Sequence, residues 1–493
     1  MEPKTRGYGT STKKDSKTNS AADPKPSPLD DKITRRQAIS KMGWAGVGVA
    51  AVVIVGVGGY LAYEATKSPS STTTSSSTSS TASMSTSTTP VITSSATGPS
   101  QVKIGAALPL SGMFAEFGQP IMWSAQQAVA DLNAQGGINV NGKKVPVTYT
   151  AYDDTSNLTQ TSALTDKLIL EDNVDIFCCG NTGPTAEPMS IEAERYGVPL
   201  IVGAPFESWW ADGPYKYAWS ILFRIATPAP GYPQGYTISD NFGGLASSIT
   251  SQTNAVATVL ALNDPDGAGF YDGYSAALKS LGYSVVDTLL YPPGTTDFSS
   301  QITKWKSDDV QVIFANLDAP DCGTFWRQSS ELNWRPKMAM FSRAADFYGD
   351  VEAWGDNLAF GVCCEQNWNP SWPATGIGTT TPQSLAAAWI SHSGQPVVNP
   401  CVGFGYSSVQ IAADAITRAG TVDRDAVNTA VGETNLNAMT GPIKFTSTHD
   451  SPCPITVGQW QGTSPNFTFP AVYSLVSIFP TTGQFTFPLP AWS

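Results

Sequence analysis

Histidine is nearly absent from this chain of 493 residues, and basic residues are scarce. The chain has two histidines, 28 lysines and arginines, and 40 aspartates and glutamates, which give a formal net charge of −12. A strongly acidic chain is a poor partner for nucleic acid, because the phosphate backbone is bound by clustered Lys and Arg. The sequence therefore predicts no nucleic-acid partner.

Motifs that carry catalysis, phosphate binding or metal binding are also missing. The chain has no Gly-x-Ser-x-Gly, no Gly-x-x-x-x-Gly-Lys-Ser/Thr, no His-Glu-x-x-His and no Cys-x-x-Cys. These patterns supply a nucleophilic serine, a phosphate cradle and zinc ligands. The vicinal pair Cys178-Cys179 lacks a base that would make a nucleophile of either thiol. We therefore expect no enzyme activity, no cofactor and no metal site.

Charged residues are absent from residues 42–63. A helix of these 22 residues, rising about 1.5 Å per residue, would cross a hydrocarbon core of about 30 Å. The preceding tail, residues 1–41, has ten basic and five acidic residues and a twin-arginine-like pair, Arg35-Arg36. The positive-inside rule then places the tail in the cytoplasm. We expect residues 42–63 to stay as a membrane anchor; their removal as a signal is the alternative.

Serine and threonine dominate residues 64–101, a composition that cannot bury a core. We predict a solvated stalk that holds the rest of the chain away from the membrane, with a plain disordered linker as the alternative. The protein would then be a single-pass protein of the cell membrane, with its main domain extracellular or periplasmic. All seven cysteines, from Cys178 onward, lie in that domain, where we expect some disulfide bonds without a pairing assigned.

Strand-like and helical patterns alternate from Val102 to the end of the chain. The first strand, 102–108, precedes a helix whose apolar residues recur at helical spacing, and the unit then repeats. After about residue 226 the alternation begins again and includes strands predicted at 284–290 and 359–363. The pattern predicts an α/β fold of two doubly wound parallel-sheet lobes with a hinge and an interlobe cleft. The predicted lobes are residues 102–226 with 371–445, and residues 227–370 with 446–493.

The loops that follow the predicted strands are the candidate ligand-binding segments. In open α/β sheets, ligands bind beyond the carboxyl ends of the strands. Residues 181–183 begin a predicted helix, whose free N–H groups suit a carboxylate. From the opposite lobe, Arg343 would clamp a carboxylate with two bonds. The segments concerned are 109–118, 180–184 and 204–210 in the first lobe, and 263–270, 317–321 and 342–347 in the second.

Individual side chains in these loops supply the candidate contacts. The hydroxyl of Ser111 would bond the ligand, and the ring of Phe117 would cover its apolar part. Asp266 and Asp318 each follow a predicted strand of the second lobe. For each candidate, packing, helix capping or simple solvation is the alternative role. The complete set is Ser111, Phe117, Asn181, Thr182, Gly183, Ala204, Pro205, Phe206, Asp266, Asp318 and Arg343, with Trp209 and Trp210 extending the aromatic wall that Phe206 begins.

Five short stretches carry a family resemblance. They are Ile104-Gly-Ala-Ala-Leu-Pro-Leu-Ser-Gly112, Ala128-Val-Ala-Asp-Leu-Asn-Ala-Gln-Gly-Gly-Ile138, Tyr152-Asp-Asp154, Gly197-Val-Pro-Leu-Ile201 and Gly441-Pro-Ile-Lys-Phe445. In order and spacing, residues 102–480 resemble the leucine/isoleucine/valine-binding branch of the type I periplasmic binding proteins. The resemblance implies that loop 181–185 and the loop after the next strand grip the ligand, and that Phe117 touches its side chain. Two positions depart from the pattern: Pro205-Phe206 replaces a frequent Ala-Thr, and Arg343 stands where an acid is frequent.

The resemblance also implies a function. The protein would be a membrane-tethered solute-binding receptor of an ABC importer, closing its cleft on an amino acid of the branched-chain type or a related small organic carboxylate. Its partners would be the solute and the permease and ATPase subunits of the importer. Two alternatives stay open. One is a ligand-sensing receptor that signals through a partner protein, and the other is a receptor for another solute class, such as amides or aromatic acids.

Overall fold

The computed structural model describes residues 98–180, 183–203, 215–229 and 231–492. The predicted tail, the predicted membrane segment and the stalk up to residue 97 lie outside these residues. Of the helices in the described ranges, none has both the length and the apolar composition needed to cross a membrane.

The first sheet consists of five parallel strands from the first part of the described chain. The strands up to this point are β1 (Val102–Leu108), β2 (Ile138–Val140), β3 (Lys143–Val145), β4 (Val147–Asp153), β5 (Ile176–Gly180), β6 (Leu200–Val202) and β7 (Ala218–Ser220). The sheet order is β4-β1-β5-β6-β7, while β2 and β3 form a separate hairpin. The chain therefore winds outwards from β1 in both directions, and the carboxyl ends of all five strands meet at one edge.

The second sheet is larger and mixed. The remaining strands are β8 (Val256–Leu262), β9 (Ser284–Val285), β10 (Leu289–Tyr291), β11 (Val312–Asn316), β12 (Met338–Ser342), β13 (Cys363–Gln366), β14 (Asn435–Ala438), β15 (Gly441–Lys444), β16 (Thr456–Gln459) and β17 (Ala471–Ser474). The order is β10-β8-β11-β12-β13-β16-β17, with β9 beside β8 and a separate β14-β15 hairpin. Pairing is parallel from β10 to β13, and β16 and β17 add antiparallel strands.

Helices connect the strands and cover the sheets. They are α1 (Ala115–Ala134), α2 (Leu158–Leu170), α3 (Gly183–Tyr196), α4 (Ile238–Ile249), α5 (Pro265–Ser280), α6 (Ser299–Ser307), α7 (Ala319–Glu331), α8 (Tyr348–Ala353), α9 (Pro382–Ser393), α10 (Cys401–Ala419) and α11 (Arg424–Gly432). Several begin at polar caps: the side chain of Asn157 accepts from two N–H groups of α2, and Thr381 caps α9. Such caps satisfy N–H groups that lack a partner within the helix.

Helix α10 packs against α1 and the first sheet. Its apolar residues Phe404, Val409 and Ile416 are buried. The two helices approach so closely that a Cβ at Gly405 would lie 2.4 Å from the backbone oxygen of Ile121. Glycine is required at this contact because any side chain would force the helices apart.

Buried thiols, not disulfide bonds, occupy four cysteine positions. Cys322, Cys363, Cys364 and Cys453 are buried and free. Because side chains alternate along a strand, Cys363 and Cys364 of β13 enter different hydrophobic cores. The expectation of disulfide bonds is therefore wrong for these four residues.

The α/β fold with two doubly wound sheets is confirmed, but two predicted strands were wrong in extent. The strand predicted at 284–290 is split into β9 and β10, because Asp287 has a φ of 48°, in the left-handed region. The strand predicted at 359–363 lies at Cys363–Gln366, and a turn closed by Val362 N–H and the Ala359 carbonyl precedes it. The boundaries of the two lobes stay predictions.

Candidate functional site

A small cavity lies between the two sheets, at the carboxyl ends of their strands. We call it the interlobe cavity. Its first wall, beside the first sheet, consists of Phe117, Gly203, Leu222 and Phe223. Its second wall consists of Asp266, Phe270, Asn316, Arg343, Asp346, Glu365 and Asn367. The interior leaves about 40 Å³ for the centres of water molecules, which is room for a few waters.

Phe117 is held in the first wall by α1. The next residue, Gly118, faces the backbone of Pro109, where a Cβ would lie only 2.2 Å from the carbonyl oxygen. This close approach brings the start of α1 to the carboxyl end of β1. The ring of Phe117 then meets the ring of Phe347 edge-on, with centroids 4.5 Å apart and an angle of 90°. A predicted site residue thus contacts the opposite lobe directly.

Ser111 is exposed and lies near the same strand ends. Its hydroxyl donates to Asp153 Oδ2 at 2.7 Å, and its N–H donates to Asp153 Oδ1 at 3.1 Å. The hydroxyl is therefore used within the first lobe in this structure, and Ser111 does not line the interlobe cavity.

Arg343 follows β12 and is nearly enclosed, with 7% of the residue exposed. Its guanidinium lies 2.8 Å from Asp318, 3.0 Å from Asp264 and 4.0 Å from Asp266. Burial acts to lower the pKa of Arg343, but the three carboxylates outweigh it and raise the pKa above its ordinary value. The structure thus brings together the three predicted site residues of the second lobe, Asp266, Asp318 and Arg343. They form a cluster of ion pairs within one wall.

The backbone conformation at Arg343 and the starts of two helices hold the charged side chains of this cluster in place. Arg343 has a φ of 69°, a left-handed conformation that costs energy for a residue other than glycine and clusters at functional sites. Asp318 occupies the N-cap position of α7 but makes no capping hydrogen bond, because its carboxylate faces the guanidinium. Asp264 caps α5 through Gly267 N–H and accepts from Arg343 as well.

Two buried carboxylates that the sequence reasoning missed also line the second wall. Asp346 and Glu365 are 7% and 2% exposed. The thiol of Cys364 lies 2.8 Å from Asp346 Oδ1 and 3.2 Å from Glu365 Oε2, and these three ligand-type atoms lie within 4.8 Å of one another. Burial, together with the charge of Glu365, raises the pKa of Asp346 well above its ordinary value. Burial raises the pKa of Glu365 as well.

Asn316, at the end of β11, is the third residue that was missed. It is fully buried and lines the interlobe cavity. Neither its side-chain oxygen nor its side-chain nitrogen has a hydrogen-bond partner. A buried amide without partners is costly, so this side chain is available to a ligand. Its place at a strand end, one residue before the predicted loop 317–321, was the signal that could have identified it.

The remaining candidates are placed only in part. Gly183 begins α3, so a helix does start where the carboxylate-binding turn was predicted. Asn181, Thr182 and the segment 204–206, with Trp209 and Trp210, lie outside the described residues. Their roles stay predictions.

Comparison with known proteins gives the same fold and family. A family model described as periplasmic binding protein matches residues 101–464. The chain is 27% identical over 238 residues to an amino acid binding protein of Pseudomonas aeruginosa, covering 47% of this chain and 58% of that protein. It is 24% identical over 357 residues to the Leu/Ile/Val-binding protein BraC3 of Rhizobium johnstonii, covering 71% of this chain and 89% of that protein.

A solved structure matches over a similar extent. The leucine binding protein LivK of Thermotoga maritima superposes with a TM-score of 0.61 at 19% identity, covering 76% of this chain and 99% of that one. At this identity the likeness concerns the fold, which is the type I periplasmic binding protein fold. The family model spans well over half of the chain. The chain therefore belongs to the periplasmic binding protein family, and its resemblance to the leucine/isoleucine/valine-binding branch is confirmed.

Proposed function

We propose that the protein is a membrane-tethered receptor of an ABC importer that captures an amino acid of the branched-chain type, or a close chemical relative, by closing its cleft. The interlobe cavity carries the proposal, because residues beside both sheets line it at the strand ends where ligands of open α/β sheets bind. Its partners would be the permease and ATPase of the importer. The receptor domain would stand outside the cell on its stalk.

The two walls suit the two parts of such a ligand. Phe117, Leu222 and Phe223 offer an apolar surface to an aliphatic or aromatic side chain. The carboxylates of Asp346 and Glu365 suit an amino group. The start of α3, with the preceding residues 181–182, is the predicted contact for a group that accepts hydrogen bonds.

Binding requires the walls to separate and close again, because residues of both walls enclose the cavity. The chain segments that cross between the sheets are tied together by a buried ion pair. Arg224 Nε lies 2.7 Å from Asp450 Oδ2, and the two side chains are 4% and 0% exposed. A fixed point of this kind lets two lobes rotate about the crossing segments without losing their connection.

Thermal unfolding of the full chain tests the proposal. We would measure the melting temperature with each of the twenty amino acids, their amides and a set of aromatic acids, with glucose as an uncharged control. A ligand at about 100 times its Kd stabilises the folded state by about 2.7 kcal/mol, which raises the melting temperature by several degrees. The absence of any shift beyond that with glucose would refute the receptor assignment.

A further inference from the structure

The charge of the predicted ligand-binding loops is unbalanced. The six predicted segments, 109–118, 180–184, 204–210, 263–270, 317–321 and 342–347, contain seven acidic residues and one basic residue, Arg343. Residues 181–182 and 204–214 of the sequence contain no lysine or arginine either. A cleft of this composition repels an anion and attracts a cation.

Arg343 does not offset this excess, because it is already engaged. Its guanidinium is surrounded by Asp264, Asp266 and Asp318. Asp346 and Glu365, in contrast, have no Lys or Arg within ion-pair distance among the described residues. Two carboxylates enclosed without a cation are strongly disfavoured in the charged form, so a cation that enters the cavity relieves that cost.

Asn316 is a second and independent sign of a ligand. Its buried amide lines the same cavity as Asp346 and Glu365, with neither polar atom bonded. An ammonium group donates to the amide oxygen as it does to the carboxylates. The rings of Phe117 and Phe223 border the same space and tolerate a cation against their faces.

A metal ion would be a different cation for the same acids, and the chemistry of the site disfavours it. A metal held by Asp346, Cys364 and Glu365 together would bind Cys364 as a thiolate. That side chain packs into the core behind the sheet and does not line the cavity. Burial raises the pKa of the Cys364 thiol well above its ordinary value, so the thiol keeps its proton.

We propose that the interlobe cavity selects an organic ammonium ligand with a net positive charge, such as a primary amine or an α-amino amide, over the amino acid and the carboxylic acid of the same carbon skeleton. Asp346 and Glu365 hold the ammonium group, and Asn316 completes its hydrogen bonds. The inference rests on the proposed function, since it narrows the solute class that the receptor captures.

Matched compounds on one skeleton test this selection with the full chain. We would measure Kd by calorimetry for 3-methylbutylamine, leucinamide, leucine and 4-methylpentanoate, and repeat the series on the phenylalanine skeleton. We expect the amine and the amide to bind at least about tenfold more tightly than the amino acid, and the carboxylic acid not to bind. Tighter binding of leucine or of the acid would overturn the selection but leave the receptor function intact. Failure of every compound in both series would overturn the receptor function as well.

Variants and a metal control complete the test. Glu365→Gln and Asp346→Asn should each weaken amine binding at least about tenfold, whereas Glu171→Gln, an exposed position on the first lobe (69% side-chain exposure), should not change it. If a cleft variant does not fold, the comparison of compounds on the unmodified chain still decides. Zinc chloride, with and without EDTA, is the metal probe. Stabilisation by zinc with none by the amines would overturn the proposal.

Discussion

The two walls of the interlobe cavity differ sharply in chemistry. The described part of the first wall carries no charge, with Phe117, Leu222 and Phe223 as its side chains. The second wall combines Arg343 with acidic and amide side chains. One lobe therefore offers shape and apolar surface, and the other offers charge. Opening the cleft separates these two properties, so a ligand meets both only when the lobes close.

The largest expected effect concerns the charge cluster of the second wall. Arg343→Ala would leave Asp264, Asp266 and Asp318 without their common cation. Removal of one partner from a buried ion pair costs about 3–5 kcal/mol. We expect the free energy of unfolding, measured in urea, to fall by that amount.

Arg195→Ala is the matched control, because Arg195 pairs with Glu192 on the surface with 62% of its side chain exposed. An exposed pair of this kind contributes little to stability, because solvent screens the two charges. Equal free energies of unfolding for the two variants would mean that the three aspartates do not hold Arg343 in its wall. It would then be free to clamp a carboxylate, as the sequence had suggested.

Some strands and helices could be predicted from the sequence, and others could not. The strand β11 has four buried apolar residues before Asn316, and α10 repeats apolar residues at helical spacing, so the patterns predict a strand and a helix there. The strand β13 was misplaced because Cys363–Gln366 ends in polar residues that are nonetheless buried. A search for runs of apolar residues does not find a strand such as β13, whose buried polar side chains line a cavity.

At the site, the sequence also did not show which charged loop residues pair with each other. Arg343 and Asp346 lie in one predicted loop, and the sequence favoured Arg343 because a guanidinium suits a carboxylate. The structure pairs Arg343 with three acids and leaves Asp346 facing the cavity. Which charges neutralise each other depends on contacts between residues that are distant in sequence, and spacing along the chain does not supply these.

The second expected effect is a dependence of stability on pH, set by the acids of the second lobe. Burial raises the pKa of Asp346 and Glu365, and burial with the charge of Glu116 raises that of Asp350 to about 7. In the unfolded chain these groups titrate near pH 4. The empty folded state therefore binds more protons than the unfolded state between about pH 4 and 7, and its stability falls as pH rises through that window.

Urea unfolding at several pH values measures this slope. Each group contributes at most about 1.4 kcal/mol per pH unit. Asp350→Asn removes one titrating group and should make the decline shallower, whereas the exposed Glu171→Gln should leave it unchanged. A stability that increases from pH 4 to pH 7 in the ligand-free protein would contradict the enclosed state of these carboxylates.

The smallest expected effect concerns the contact between the walls. Phe117→Ala removes the edge-on contact with Phe347, and aromatic pairs contribute about 0.5–1.5 kcal/mol beyond their buried area. Because the two rings belong to opposite predicted lobes, the loss falls on the closed form and should raise the Kd of any captured ligand about fivefold. Leu170→Ala, at an exposed end of α2 with 59% exposure, is the control for loss of apolar surface. If Phe117→Ala left the Kd unchanged, the first wall would not take part in closure, and recognition would rest on the charged wall alone.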